Sequence, residues 1–209
     1  MNFQTFKNKT VLITGHTGFK GSWLAIWLHS LGAKVVGVAL DPPSVPSLFE
    51  VTNLHEIIED FHLDIREGDD LKELVMQVNP DFVFHLAAQA LVRQSYIDPV
   101  ETYQTNVLGT INLLEAMRPL RKPCTAILVT SDKSYENVDS IWGYRENDSL
   151  GGSDPYSASK SAVELLIRSH VRSFFPKTGN TRIAVGRAGN VIGGGDWASD
   201  RIVPDCVRS

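Results

Sequence analysis

Thr10-Val-Leu-Ile-Thr14-Gly15-His16-Thr17-Gly18-Phe19-Lys20-Gly21 sets a short apolar run directly against a turn rich in glycine. The run is β-branched and ends at a glycine, which predicts a buried strand over residues 10–14. Trp23, Leu24, Trp27, Leu28 and Leu31 then recur at helical spacing with Gly32 as the stop, so a helix over 21–31 follows. The glycines at 15, 18 and 21 form a variant of the dinucleotide-binding fingerprint. Such glycines let the backbone turn tightly and let a pyrophosphate approach the helix N-terminus, where free N–H groups and the dipole favour an anion. Gly15, Thr17, Gly18, Phe19, Lys20 and Gly21 are therefore candidate cofactor residues. Lys20 opposes the helix dipole by a few tenths of a kcal/mol, which a bound anion would reverse. A lysine turned out into solvent is the other reading of that position.

Outward from this unit, apolar runs alternate with helical patterns along the chain. Strands are predicted at 34–40, 58–63, 82–86, 126–131 and 182–187, and helices at 69–78, 101–117 and 157–174. That alternation predicts an α/β fold, a doubly wound parallel sheet of Rossmann type. Residues 136–153 read as a loop between the fifth strand and the last long helix. The final stretch from Arg201 reads as the opening of a helix whose Ile202, Val203 and Val207 need a partner surface, the start of a further region. The expected division is 1–186 for the dinucleotide-binding domain and 187–209 for the beginning of a truncated substrate-binding region.

Asp41 ends the second strand twenty residues past Gly21. A carboxylate there accepts ribose hydroxyls and repels a 2′-phosphate, which favours NAD over NADP. Asp64 and Ile65 after the third strand are placed to edge the adenine, and Leu86, Ala87 and Ala88 after the fourth to pass beneath the ribose. Small residues in the latter group also suit any tight strand-to-loop turn.

Bulk properties exclude several classes. With 20 basic and 24 acidic residues the net charge is −4, and no long basic run offers a nucleic-acid surface. Cys124 and Cys206 are too few for a disulfide framework, and the six histidines show no metal-ligand spacing, so no metal is expected. No apolar run approaches membrane-spanning length and the start lacks a signal pattern, making the cytoplasm the default compartment.

Two further clusters carry chemistry. Tyr156 and Lys160 are four apart on a predicted helix and share one face, so the ammonium can favour phenolate and lower the phenol pKa from about 10. Tyr156 then suits removal of an alcohol proton while the carbon gives up hydride. Ser131-Asp132-Lys133 closes the fifth strand and adds a second acid and a second amine, which suggests a further proton-transfer step. A strand-end salt bridge and an ordinary amphipathic helix pair are the bland alternatives.

The strings Gly15-His-Thr-Gly-Phe-Lys-Gly-Ser-Trp23, Val45-Pro-Ser-Leu-Phe49, Thr130-Ser-Asp-Lys133, Trp142-Gly-Tyr-Arg-Glu146, Asp154-Pro-Tyr-Ser-Ala-Ser-Lys160 and Gly186-Arg-Ala-Gly-Asn-Val-Ile-Gly-Gly-Gly-Asp-Trp197 resemble the extended short-chain dehydrogenase/reductase family. Within it they are most similar to the CDP-glucose 4,6-dehydratases. Related dTDP-glucose dehydratases carry an Asp-Glu couple where this chain has Asp132-Lys133.

The resemblance implies a reaction on a nucleotide sugar. Tyr156 would take the 4-hydroxyl proton while hydride passes from C4 to NAD⁺, and Ser131 would hydrogen-bond the C4 oxygen. Asp132 would protonate the C6 hydroxyl, and burial should raise its pKa for that task. Lys133 occupies the base position for the C5 proton, which requires it to be neutral. Alternatively it stays charged and stabilises the enolate, with Glu136 or water as base. Asn106 and Asn190 fit family positions near the active-site lysine and the sugar pyrophosphate, although either also suits a turn cap. The family usually forms a homodimer through the helices at 101–117 and 157–174. A nucleotide-sugar 4-epimerase would share everything except the second acid/base pair, and a dinucleotide-sensing regulator would need none of the catalytic groups.

Overall fold

Val11, Leu12 and Ile13 are fully buried because β1 (Thr10–Thr14) is hydrogen-bonded on both sides, to β2 (Lys34–Ala39) and to β4 (Phe82–His85). The structure, a computed structural model, describes residues 3–209. With β3 (Glu59–His62), β5 (Cys124–Ser131) and β6 (Thr181–Ala188) these strands form one sheet in the order β3-β2-β1-β4-β5-β6, all neighbours parallel. This is the Rossmann-type order, with its topological switch point between β1 and β4.

The α-helices are α1 (Phe19–Ser30), α2 (Leu48–Val51), α3 (Gly68–Val78), α4 (Val92–Ile97), α5 (Pro99–Tyr103), α6 (Gly109–Met117), α7 (Pro155–Phe174) and α8 (Ile202–Arg208). Alternation along β1 sends its side chains to two cores. Leu12 joins Leu71 and Val75 of α3, Leu113 and Met117 of α6, and Val163 and Ile167 of α7. Val11 and Ile13 join Ala25 and Leu28 of α1 and Phe49 of α2 on the other face. Each fully buried leucine contributes roughly 1.5–3 kcal/mol relative to exposure. Helices on both faces make the sheet doubly wound, as the sequence pattern predicts.

Local chemistry sets the helix ends. Asp154 caps α7 by accepting from the Ser157 N–H at 3.0 Å, and Pro155 follows where no donor is required. Beyond α1 the chain turns at Gly32, which sits at φ +81°.

One expectation is corrected. The single helix over 101–117 is α5, a π-helical turn over Gln104–Leu108, and α6. Apolar spacing cannot register one extra residue in a turn, and the wider turn holds the buried Asn106. Arg93 and Gln94 lie in α4. Trp23 and Trp27 stay half exposed, at 48% and 52%, while Ala25 and Leu28 supply the buried face of α1.

Strand β6 ends at Ala188. In α8 the side chains of Ile202 and Val207 are 79% and 81% exposed. Among the described residues no helix is long and apolar enough to cross a membrane.

Candidate active site

Parallel strands bring their carboxyl ends to one edge, and the loops leaving β1, β2, β3, β4, β5 and β6 carry Gly15, Asp41, Asp64, Leu86, Asp132 and Asn190 respectively. The glycine-rich loop is built tightly against β4. Gly15 adopts φ +77°, and a Cβ there would stand 2.7 Å from the Ala87 nitrogen. A Cβ on Gly21 would collide with the Gly15 carbonyl, so these two glycines answer to packing. Gly18 differs: its φ is −75°, and an added Cβ would meet only the Gly15 oxygen at 3.4 Å. The chain leaves Gly18 open at the helix N-terminus, which no side chain caps, and an anion can approach the free N–H groups there.

Thr17 donates to the Leu40 carbonyl at 2.9 Å and so braces the loop against β2. His16 is buried beneath it, 2.7 Å from Asp60 Oδ1. Its pKa is lowered, first by burial, against the opposing Asp60 carboxylate. Asp41 reaches His62 Nδ1 at 3.1 Å, with both side chains open to solvent.

Asp64 binds Arg66 instead of lying free. Its oxygens accept from the Arg66 N–H at 2.9 Å and Nε at 2.8 Å. Burial pushes the Asp64 pKa up, but these hydrogen bonds outweigh it and the net direction is down. Ile65 turns its side chain into the core, where a Cβ on Gly109 would displace it, so only its backbone remains for a ligand. The Leu86 and Ala87 N–H groups point at the Thr14 hydroxyl, at 3.2 and 3.1 Å.

Beneath this edge runs a chain of contacts that the sequence pattern does not reveal. Thr14 Oγ1 meets His85 Nδ1 at 2.7 Å, His85 Nε2 meets Thr110 Oγ1 at 3.0 Å, and Thr110 donates to the Asn106 carbonyl at 2.6 Å. Burial, and then the charge of Lys160, drives the His85 pKa down to about 3, so the ring is neutral. A histidine ending an otherwise apolar strand is the one signal of it in the sequence.

Asn106 is 1% exposed and its amide is consumed by protein. It accepts from the Gln89 N–H at 2.8 Å and donates to the Gln89 carbonyl at 3.1 Å and to Ser159 Oγ at 2.8 Å. It therefore holds α7 against the loop after β4. Asn190 is exposed at the end of β6.

Lys160 is buried beside Tyr156, its Nζ 6.0 Å from the ring centre. Burial, followed by the charge of Lys20, lowers its pKa to about 8. No acceptor or carboxylate among the described residues pairs with this ammonium. Tyr156 departs from expectation: its pKa is raised, because burial outweighs the hydrogen bond with Ser131 and the charge of Arg201. Proximity of the lysine does not govern that balance; lost hydration does.

Ser131 also contacts Asp132 Oδ1 at 3.1 Å and accepts from the Lys133 N–H at 3.2 Å, capping the short turn at Asp132–Ser134. Asp132 and Lys133 are exposed, contrary to the burial expected of them. The turn lies at the open mouth of the sheet edge, where the described residues leave both groups in water.

Arg201 carries no motif that would single it out in the sequence. It faces Tyr156 and Lys20 across the crevice, and its Nε is buried without a partner. The Lys20 pKa is lowered, by lost hydration first and by Arg201 second, with Asp132 and Asp196 opposing. An orphaned guanidinium nitrogen and an uncapped helix start fit a dianionic dinucleotide.

The chain is 50% identical over 208 residues to CDP-glucose 4,6-dehydratase of Salmonella typhimurium, covering 98% of this chain and 58% of that protein. Epimerase Mth375 of Methanothermobacter thermautotrophicus superposes with a TM-score of 0.83 at 27% identity, over 97% of this chain and 58% of that one. The UDP-glucose 4-epimerase of Thermus thermophilus, solved as a complex with NAD, gives 0.74 at 28% identity, over 88% and 56%. The chain thus spans less than two thirds of the length of each. The family model described as GDP-mannose 4,6 dehydratase matches residues 12–184, from the first strand through the Tyr156 helix and into β6, and the chain belongs to that family.

Proposed function

We propose that this chain carries the NAD-binding and catalytic part of a nucleotide-sugar dehydratase that converts CDP-glucose to the 4-keto-6-deoxy sugar. The observation that carries the reading is the meeting of Ser131 and Tyr156, with Lys160 behind them and Asp132 beside them, at the edge where an anion-binding helix start is open. The 50% identity to a CDP-glucose 4,6-dehydratase supports the choice of sugar nucleotide.

Bound NAD would accept hydride from sugar C4 and return it to C6, so none is consumed. Asp41 accepts the adenosine ribose hydroxyls, and Asp64 with the Ile65 backbone edges the adenine. Gly15, Thr17, Gly18, Phe19, Lys20 and Gly21 receive the diphosphate, while Leu86, Ala87 and Ala88 pass beneath the ribose. Tyr156 takes the 4-hydroxyl proton, and Ser131 donates to the resulting oxygen. Lys160 holds positive charge below the phenol and supplies hydrogen bonds to the ligand that covers it.

Asp132 delivers a proton to the C6 hydroxyl so that it leaves as water, Lys133 removes the C5 proton, and a proton that has exchanged with solvent returns to C5 when C6 receives hydride. Both are solvated in the described residues, and a sugar seated over the Asp132–Ser134 turn would exclude that water. Residues 187–209 begin the region that receives the nucleotide sugar, with Asn190 toward its pyrophosphate. Exposed Val100, Tyr103, Leu108, Leu165 and Phe174 on the 101–117 and 157–174 helices and their approaches suit a homodimer face. The cytoplasm, where nucleotide sugars are made, suits this reading.

Incubating the protein with CDP-glucose in deuterated water tests the proposal. Dehydration places deuterium at C5 of a 6-deoxy product. Recovery of a C4-epimerised sugar without deuterium at C5 would favour a 4-epimerase instead.

A further inference from the structure

Residues 189–201 leave β6 and return across the mouth of the crevice to the glycine-rich loop. Their middle is clipped to the first turn of α1. Trp23 Nε1 donates to the Gly194 carbonyl at 2.9 Å across 171 residues of sequence. A Cβ on Gly193 would stand 3.2 Å from Phe19 Cζ, and one on Gly195 would stand 2.9 Å from the Leu48 side chain. Asp200 is tied to Arg93 at 2.8 Å. At the two ends, Gly189 lies beside Asp132 and Arg201 faces Lys20 and Tyr156.

Phe19 and Trp23 are four apart and share one face of α1. That face looks away from the core, so burial of apolar surface does not explain a tryptophan there. Its indole can only donate, and the acceptor it finds is the backbone of a run of three glycines. Side chains at 193 and 195 would hold that backbone off, so the glycines and the indole make sense together. The segment they hold lies over the helix start whose N–H groups are open.

We propose that Trp23 is a positioning residue that fastens the 189–201 strap over the first turn of α1, so that the strap must lift for the dinucleotide to enter or leave. This rests on the NAD reading above. Strap opening then limits exchange in both directions, and the bound dinucleotide is retained through turnover.

Stopped-flow binding and trapping of NADH, read by its fluorescence, tests this on the chain as it stands. Trp23→Phe keeps an aromatic ring and removes the donor, and association and dissociation should both accelerate about five-fold, the factor carried by one neutral hydrogen bond. Gly195→Ala lifts the strap from its other side, at φ +86° and against Leu48, and should accelerate both steps as well. Amide exchange across 193–195 should rise in both variants before any ligand is added. Unchanged NADH rates in both variants would overturn the proposal, as would faster dissociation alone, which signals lost structure and not a gate. Failure of the unaltered protein to bind NADH would remove the cofactor reading itself, and the strap proposal with it.

Discussion

Lys160 Nζ lies 6.0 Å from the centre of the Tyr156 ring, and burial moves the two groups in opposite directions. The phenol pKa rises while the ammonium falls to about 8. Both shifts disfavour the charged forms, as a low-dielectric pocket demands. The pair therefore rests as phenol and ammonium at neutral pH, and Tyr156 must give up its own proton before it can take one from the sugar.

Replacing Tyr156 by Phe should remove the proton acceptor and leave the fold intact. Loss of the first oxidation should be about 10²- to 10⁴-fold, the usual worth of a positioned acid or base. Absorbance of enzyme-bound NADH after addition of CDP-glucose measures it directly. Normal accumulation in Tyr156→Phe would reassign the base.

Lys133→Met should separate the two halves of the reaction. Enzyme-bound NADH should still form, because Tyr156 and Ser131 are untouched, but 6-deoxy product should fall by about 10²-fold or more. Normal product formation would move the C5 step to Glu136 or water.

Lys160 also sets a pH dependence of stability. Its folded pKa of about 8 lies below the unfolded value near 10.5. Between these pH values the unfolded chain binds more protons, so this group makes stability rise with pH through that window. Below about pH 8 the buried ammonium costs on the order of 3 kcal/mol. Lys160→Met should be more stable than the parent at pH 7 in urea denaturation, with the difference shrinking toward pH 10.

On the acid side the controlling groups are His85 and His16. Both have folded pKa values below the ordinary 6.5, with His85 near 3. The unfolded state binds protons first, so stability falls as pH drops below 6.5. His85 alone should cost about 2 kcal/mol between pH 6.5 and pH 5. Asp64 and Asp81 are held below their ordinary 3.8 and contribute only at lower pH. A urea midpoint unchanged between pH 7 and pH 5 would contradict a neutral buried His85.

Asn106 lies at the heart of the π-helical turn, and Asn106→Ala should strip the partners from the Gln89 backbone and from Ser159. Each buried group left unpaired costs about 1–3 kcal/mol, so a loss of at least about 2 kcal/mol is expected in thermal or urea unfolding. A loss below about 1 kcal/mol would show that the bridge is dispensable.

Short-range chemistry was legible in the chain alone. Apolar runs bounded by glycine, such as Thr10–Thr14, and the helix stop at Gly32 report interactions within a few residues. The sheet order follows too, because alternating strands and helices with right-handed crossovers leave few arrangements. The same holds for the carboxyl edge as the place where Gly15, Asp41, Ser131 and Tyr156 gather.

Tertiary structure alone decided how those groups are charged and which of them face a ligand. Sequence spacing put Lys160 beside Tyr156, but burial of both, set by elements distant along the chain, fixed the direction of each pKa. It also turned Asn106 inward, joined Thr14 to His85 and brought Arg201 opposite Lys20. Desolvation and hydrogen-bond partnership are sums over neighbours far apart in sequence, so they exist only once the chain has closed on itself.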